Sequence, residues 1–584
     1  MLLQRFKEYA DQRLALPPTL YREAPVRYIV ELDEHGRPLG RRPTDTSDPG
    51  NPRTKRGMRR HLPQVTRTMA PKPLLLADNS EYTFGLARET SKTQRVMECH
   101  RTYLDLLERC AAATHEPAVQ AVATFLKNDP VPALDLPEDF DRGATITFRV
   151  HRQLEAIFPI DLPAVQSFWA AENDPAARSA PVMQCLVCGQ ERPVLARLQG
   201  NIKGVPGGQT SGTAIISANA EAFESYGLEA SLIAPTCGEC GERFTLAANS
   251  LLASEANRIV MGGAAFIFWT REPVDFSLRS LLTDPQPEQV RAVLESIRTG
   301  RPAASLERTA FYATVLSASG GRTVVRDWID TTVDEVQRHL AGWFEAQRIV
   351  GAGGEEPRPL GLYALAAATV RELKDLAPPV PRALLRGALL GAPLPPALLH
   401  QVVRRSRAEQ RVSRQHATLI KLCLLNARAT TEEGFMVKLE PNHPSPAYHC
   451  GRLLAVLEEA QRLALPGVKA TIVDRFFGTA SSAPMSVFSR LVRGAQPHLA
   501  KLERDRPGAY YAIQRRMEEV MGQLGGFPRI LTLQEQGLFA LGYYHQRAYD
   551  RAQAREAAER RRAGGAATTD ALPLIDENPI AEVN

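Results

Sequence analysis

The spacing of apolar residues changes character several times along this chain, and each change marks a different kind of element. Residues 1 to about 20 carry a short amphipathic pattern that stops at Pro17-Pro18, so a helix is expected there. Val26-Arg-Tyr-Ile-Val-Glu-Leu32 alternates and is rich in β-branched residues, which predicts a strand, with Asp33-Glu-His-Gly36 as the turn after it. Asp45 to Arg67 is polar, basic and proline-containing and reads as a mobile loop, while Pro73 to Gly85 reads as strand, turn and strand. From about Val96 to Lys127 apolar residues recur at three and four, the spacing of one helix face.

Roughly Ala144 to Trp269 forms a second, β-rich region, with Ala144 to Val150, Ile259-Val-Met261 and Phe266 to Trp269 as buried strands. Ala310 to Ser317 and Arg322 to Trp328 make a strand pair joined through Ser319-Gly-Gly321, and a helix from about Thr332 to Gln347 closes that unit. Gly351-Ala-Gly-Gly354 and the prolines after it read as a linker. Beyond it the pattern is nearly all helical, broken near Pro378 and Pro395 and by a polar loop at Asn442. The expected fold is therefore α+β: a mixed α/β N-terminal body with an inserted zinc-ribbon-like element, followed by a C-terminal helical bundle. Its divisions are 1–143, 144–350 (β-rich, with the cysteines and a glycine-rich loop), 360–465 (helical) and 466–584 (bundle), the last thirty or so residues being frayed.

With 584 residues and 44% hydrophobic content, the chain can bury large cores. The first residues, Met1-Leu-Leu-Gln-Arg-Phe-Lys-Glu-Tyr9, carry charge where a signal peptide would be apolar, and no run approaches the roughly 18 apolar residues of a membrane span. A reducing, cytoplasmic setting without membrane contact is expected. Net charge is only +6, so the placement of arginines matters more than their number. Arg53, Lys55, Arg56, Arg59 and Arg60 form one cluster; Arg404, Arg405, Arg407, Arg411 and Arg414 form another; Arg490, Arg493, Lys501, Arg504, Arg506, Arg515 and Arg516 form a third. Each taken singly is a common solvated face.

The most specific chemistry is in the cysteines. Cys185-Leu-Val-Cys188-Gly and, about fifty residues later, Cys237-Gly-Glu-Cys240-Gly each turn two sulfurs toward one point, and together they supply the four thiolates of a closed tetrahedral zinc site. Such a site is structural, because it leaves no open position for catalysis. Four free buried cysteines or two disulfides are the alternatives, and the gap between the pairs exceeds the usual zinc-ribbon interval. Cys99, Cys110, Cys423 and Cys450 are scattered without partner spacing.

Between the pairs lies Asn201-Ile-Lys-Gly-Val-Pro-Gly-Gly-Gln-Thr-Ser-Gly212. Its glycines allow close approach of the backbone to a ligand, and Asn201, Lys203, Gln209, Thr210 and Ser211 supply hydrogen-bonding groups suited to base edges. A glycine-rich surface turn with no ligand is the alternative; a phosphate loop of the mononucleotide type is not, since no Gly-Lys-Ser/Thr precedes a helix. Lys72, Asn79 and Tyr82 form a second candidate, weighed against an Asx-turn closing a hairpin. Tyr510, Tyr511, Tyr543 and Tyr544 are candidates for stacking on bases or for core. His416, His443, His449, His498 and His545 lack metal-binding spacing and read as packing or solvent residues. No paired carboxylates, Ser-His-Asp or Cys-His arrangement stands out, so the chain is expected not to be an enzyme.

Several strings, in order along most of the chain, resemble the large subunit of the type I-C CRISPR surveillance complex, Cascade. They are Lys72-Pro-Leu-Leu-Leu-Ala-Asp-Asn79 with Tyr82 and Gly85; Cys185-Leu-Val-Cys-Gly; Ile202-Lys-Gly-Val-Pro-Gly-Gly-Gln-Thr-Ser-Gly; Ser217-Ala-Asn219 with Phe223, Ser225, Tyr226 and Gly227; Phe268-Trp269; and Phe539-Ala-Leu-Gly-Tyr-Tyr-His545. The resemblance implies a non-catalytic subunit that reads a protospacer-adjacent motif in double-stranded DNA, promotes R-loop formation with the guide RNA, holds the displaced strand and recruits a separate helicase-nuclease for antiviral defence. Its implied partners are guide RNA, target DNA, the Cascade backbone subunit, the guide-processing endoribonuclease subunit and a small subunit, the last produced by internal translation, with Met436, Val468 and Met485 as candidate starts.

On that resemblance the motif-reading residues are Asn201, Lys203, Gly204, Gly207, Gly208, Gln209, Thr210 and Ser211 with Lys72 and Asn79, and the arginine cluster from Arg53 to Arg60 contacts phosphates of the displaced strand. The chain departs from the common family pattern Cys-Leu-Val-Thr-Gly in carrying Cys188 and the second pair, so zinc marks a subgroup. The competing reading is a standalone zinc-ribbon nucleic-acid-binding protein.

Overall fold

In the computed structural model the described residues are 2–563, except 19, 49, 52–53, 66, 68–69, 89–90, 129, 133, 153–154, 174–179, 199, 219, 275–276, 299–308 and 429–434. They form two compact units. The first takes residues up to 204, 208–250 and 319–323, and the second takes 205–207, 251–318 and the described chain from 324 onward.

In the first unit, helix α1 (Leu2–Arg13) precedes β1 (Tyr21–Val26), β2 (Tyr28–Asp33), β3 (Thr44–Asp45), β4 (Met58–Pro63), β5 (Ala77–Asp78), β6 (Ile146–Arg152) and β7 (Glu155–Ile157). A sheet of order β3-β2-β6-β5, with β7 on β6, carries the core. Its central pair, β2 and β6, runs parallel from Tyr28↔Ile146 to Asp33↔His151. Helices α2 (Ser80–Thr83), α3 (Thr93–Thr114), α4 (Pro117–Lys127) and α5 (Pro163–Glu172) accompany it, and Val30, Leu32, Tyr103, Leu107, Val122, Phe125, Phe148 and Trp169 are among its buried side chains.

Two sequence expectations change here. The single strand from Val26 to Leu32 is two, because Val26 ends β1 and the chain turns into β2. The segment from Asp45 to Arg67 is not simply a loop: Met58–Pro63 pairs antiparallel with β1 along Tyr21↔Pro63 to Val26↔Met58. Two adjacent arginines, Arg59 exposed and Arg60 turned toward Phe158 and Asp161, read together as a polar run and hid the strand. Likewise Pro73 to Gly85 holds a two-residue strand and then a helical turn, not a second strand.

The cysteine region follows, with the hairpin β8 (Val182–Gln184) and β9 (Glu191–Pro193) and helix α6 (Gly238–Ala253). Thus α5 and α6 both stand within the stretch that alternation suggested was β-rich.

In the second unit β10 (Arg258–Met261), β11 (Ala264–Thr270), β12 (Ala310–Ser319) and β13 (Arg322–Thr332) form a sheet in that order. Helices α7 (Leu278–Thr283) and α8 (Pro287–Arg298) interrupt the strands, and α9 (Val333–Gln347) follows them. Thr332 caps α9 reciprocally with Glu335, which fixes the helix start where the sequence placed it.

The remainder is helical: α10 (Leu362–Ala367), α11 (Pro379–Leu390), α12 (Pro396–Glu409), α13 (Arg414–Arg428), α14 (Pro446–Ala464), α15 (Ile472–Ala480), α16 (Phe488–Asp505), α17 (Pro507–Gly522) and α18 (Leu533–Ala563). The segment after Gly351, expected as a linker, lies inside this unit, where Val350 N–H donates to Val437 O at 2.7 Å. Helix α18 also runs through Arg560, into the stretch expected to fray; residues 564–584 lie outside the described ones. The mixed α+β architecture, sheets first and helices last, is as expected.

Helices α14 and α18 cross at backbone contact. A methyl group on Gly451 would lie 2.0 Å from Phe539 O, and one on Gly542 2.1 Å from Tyr448 O. Polar side chains surround this crossing: Tyr448 Oη and His545 Nδ1 are 2.9 Å apart, Arg452 Nε donates to Gln546 at 3.0 Å, and Tyr543 Oη donates to Glu458 at 2.6 Å. His443, His449 and His545 are therefore packing residues, as are Tyr543 and Tyr544, whereas Tyr511 is exposed.

Burial disfavours protonation of the His545 ring and holds it at about 3, and the same cause holds His416 at about 4, both below the ordinary 6.5. A lowered folded value means that unfolded chains take up protons first. Stability is kept above pH 6.5 and lost as pH falls below it, on the order of 2–3 kcal/mol from His545 alone by pH 4.5. Melting temperature against pH should fall over that window, and His545→Asn should flatten the fall.

Candidate nucleic-acid interface and four-cysteine centre

The four cysteines singled out by spacing come together. Their sulfurs all lie within 4.8 Å of one another, and three of the four residues are buried. A tetrahedral site with bonds of about 2.3 Å has sulfur–sulfur edges of about 3.8 Å, so a slight contraction suffices. Cys185 and Cys188 flank the hairpin turn between β8 and β9. Cys237 immediately precedes α6, bridged to Val194, and Cys240 lies in its first turn, so the second pair is set by a helix end and not by a second hairpin. The hairpin side is built as a knuckle: Cys185 N–H donates to Gln190 O at 2.9 Å, Gly189 N–H to Cys185 O at 2.8 Å, and Gly189 adopts φ +75°.

Electrostatics agree with metal binding. Burial alone would raise the Cys185 thiol, but the amides of Cys188, Cys237 and Val187 directed at its sulfur bring it to about 7. Burial and then the neighbouring Cys237 push Cys240 far above the ordinary thiol range. Four thiols this close shed all their protons only to a cation. The cluster can hold a metal ion. Around it runs a chain of ion pairs: Arg192–Glu239 at 2.6 Å, Arg243–Glu239 at 2.7 Å, Arg243–Asp11 at 2.6 Å and Lys7–Asp11 at 2.6 Å. These tie α1 and the hairpin to the start of α6.

The glycine-rich loop is held at its base by a reciprocal pair, Ile202 N–H to Thr213 O at 2.9 Å and Thr213 N–H to Ile202 O at 2.8 Å. Asn249 on α6 braces one arm, accepting from Lys203 N–H at 2.7 Å and donating to Asn201 O at 3.1 Å, while Asn201 Nδ2 reaches across to Ser211 O at 3.3 Å. Gly212, at φ +97°, cannot be another residue, because a methyl group there would lie 2.5 Å from Asn201 Cβ. Above this base Lys203, Gly204, Gly207, Gln209, Thr210 and Ser211 are exposed, Asn201 is exposed at the rim, and Gly208 is half-buried. The cysteine centre does not grip the loop directly: Cys240 and Asn249 are nine residues apart on one helix, about 13 Å. Asn249 was not legible as part of the site, since an asparagine in a helix carries no spacing signal.

At the second candidate, Asn79 caps α2, its side chain accepting from Glu81 N–H at 3.1 Å. Its amide nitrogen is the part left for other uses. Lys72 is half-buried, with its N–H donating to Tyr82 Oη at 3.3 Å. Arg67 lies over the Tyr82 ring at 4.4 Å and pairs with buried Asp78.

The first arginine cluster divides. Arg53 lies outside the described residues. Lys55, Arg56 and Arg59 are exposed, Arg59 with Glu23 at 3.3 Å, but Arg60 pairs with Asp161 and stacks on Phe158 at 3.6 Å. Of the second cluster Arg404 and Arg411 are exposed, while Arg405 pairs with Glu409 at 2.5 Å, Arg407 donates to Gln536 at 3.4 Å and Arg414 donates to Arg358 O. In the third, Arg490, Arg493, Lys501 and Arg504 share one face of α16, opposite Phe488, Leu491, Ala495, Leu499 and Leu502, which are buried. That basic ridge is about 21 Å long. Arg516 is paired inward with Asp550 at 3.2 Å.

Residues 2–549 match a family described as CRISPR-associated protein (Cas_Csd1). The chain belongs to that family, the large subunit of type I-C Cascade. No curated protein was found to match it. Membership brings Cascade partners in general. Among the described residues no helix is long and apolar enough to cross a membrane.

Proposed function

We propose that this chain reads a short motif flanking the target in double-stranded DNA and, without enzymatic chemistry of its own, promotes pairing of guide RNA with target. The observation that carries the reading is the loop from Asn201 to Gly212: exposed hydrogen-bonding side chains and glycines stand on a base fixed by a β-pair, by Asn249 and by a glycine that tolerates no substitute. A flexible backbone on a rigid footing can approach base edges in the minor groove, whose sparse pattern suits amides, Gln, Lys and Asn. Asn79 and Lys72 are a second, smaller contact in this reading. The four cysteines hold zinc in a closed structural site that stiffens α6 and, through it, the loop.

Lys55, Arg56, Arg59 and the ridge on α16 hold the phosphates of the displaced strand, where affinity comes from counterion release. The reading includes the backbone, endoribonuclease and small subunits as assembly partners and a helicase-nuclease as a transient one. Replacing Lys55, Arg56 and Arg59 together by glutamine in the guide-loaded assembly should weaken DNA binding whatever the sequence and flatten the log–log salt slope by about 2–3. Arg60→Gln, by contrast, should cost stability through Phe158 and Asp161 and leave the slope alone. An unchanged slope in the triple variant sets this surface aside.

A further inference from the structure

The chain from Ala220 to Glu229 leaves the body of the first unit and returns, closed at its foot by Ala218 N–H donating to Ala230 O at 2.9 Å. Its tip is a tight turn in which Leu228 N–H donates to Ser225 O at 2.9 Å and both central residues have positive φ, Tyr226 at +55° and Gly227 at +69°. Asparagine or glycine suits the first of these positions; a tyrosine there is conformationally costly. Burial does not repay that cost, because Tyr226 is 100% exposed. Phe223, 53% exposed, lies beneath the guanidinium of Arg322 at 4.3 Å and is thereby held in place. Glu221, Glu224 and Glu229 are exposed around the two rings, and none forms an ion pair with a described residue.

Neither folding nor turn preference accounts for Tyr226, so its ring serves something outside the chain. Two aromatic anchors inside a polar rim are the composition of a protein-binding hot spot. Three exposed carboxylates within nine residues repel a phosphate backbone and attract Lys and Arg. We propose that the Ala220–Glu229 excursion docks on a basic face of a protein partner, with the Tyr226 ring entering a recess flanked by cationic side chains. The proposal rests on the family membership, which makes the chain part of a protein assembly, and is independent of which loop reads DNA.

The test uses the full chain in its guide-loaded assembly, with the photo-crosslinker p-benzoylphenylalanine in place of Tyr226. The expected product is a crosslink to a Lys/Arg-rich peptide of a neighbouring protein, lost when Glu221, Glu224 and Glu229 are all changed to lysine. Tyr226→Asn separates docking from folding: it fits the turn better, so the melting temperature should hold or rise, while association with that neighbour weakens about tenfold or more and Tyr226→Phe stays within about twofold. A crosslink to RNA or DNA, no crosslink in the assembled complex, or full association of Tyr226→Asn would each overturn the proposal. None of these outcomes alters the salt-slope result for Lys55, Arg56 and Arg59.

Discussion

Gly542→Ala is expected to lower the melting temperature of the second unit by about 3–9 °C, and Gly451→Ala to do the same. At both positions the added methyl group meets backbone, Tyr448 O at 2.1 Å and Phe539 O at 2.0 Å, and not the movable end of a side chain. Relief requires α14 and α18 to separate, and the polar groups at the crossing cannot follow without losing partners: Tyr448 with His545, Arg452 with Gln546 and Tyr543 with Glu458 are all buried pairs. Overpacking alone costs about 1–3 kcal/mol, and unpairing a buried polar group adds about 1–3 kcal/mol more. The control is Gly494 on α16, where nothing lies within 4 Å of an added methyl group. There, alanine in a helix interior should stabilise by about 0.5–1 kcal/mol. Calorimetry resolving the two units should move only the second transition; equal responses at Gly542 and Gly494 would contradict the crossing.

The second large effect is expected in the first unit, where Cys240→Ser, or removal of the metal by a strong chelator, should abolish one bound metal ion per chain and destabilise α1, α6 and the loop together. Isolated four-ligand zinc peptides gain about 10–16 kcal/mol from the ion at neutral pH. That is comparable with the whole of the roughly 5–15 kcal/mol that separates folded from unfolded domains. The ion pairs Arg192–Glu239–Arg243–Asp11–Lys7 should fail with it, since Glu239 stands between two ligands. Affinity should drop as pH falls, because each ligand binds only after losing its proton and protons then compete with the ion. Elemental analysis with hydrogen exchange over residues 2–13 and 238–253 checks both parts. No bound metal in protein purified without chelator, or exchange unchanged on its removal, would refute the structural role.

Legibility in the sequence tracked how local the physics is. The cysteine pairs were readable because a two-residue gap dictates sulfur convergence on its own, and α9 was readable because Thr332 and Glu335 form a cap at fixed spacing. The antiparallel strand Met58–Pro63 was not, since its partner lies some forty residues away and its adjacent Arg59 and Arg60 resemble part of a solvated loop. Arg60 was read as a free cation for the same reason: Phe158 and Asp161 are a hundred residues distant. Asn249 and Arg322, which brace the loop base and hold Phe223, owe their roles entirely to tertiary placement. In the C-terminal region helical periodicity announced the helices, but the glycine contact between α14 and α18 belongs to their crossing and to neither helix alone.

The most direct test of the account replaces Lys203–Ser211 by a short Gly-Ser link, leaving Ile202, Gly212 and Thr213 to close the base, and measures binding of the guide-loaded assembly to targets that differ only in their flanking bases. The account predicts a folded assembly that still pairs guide with target but binds authentic and scrambled flanks alike. Undiminished discrimination between the two flanks in that variant would contradict it.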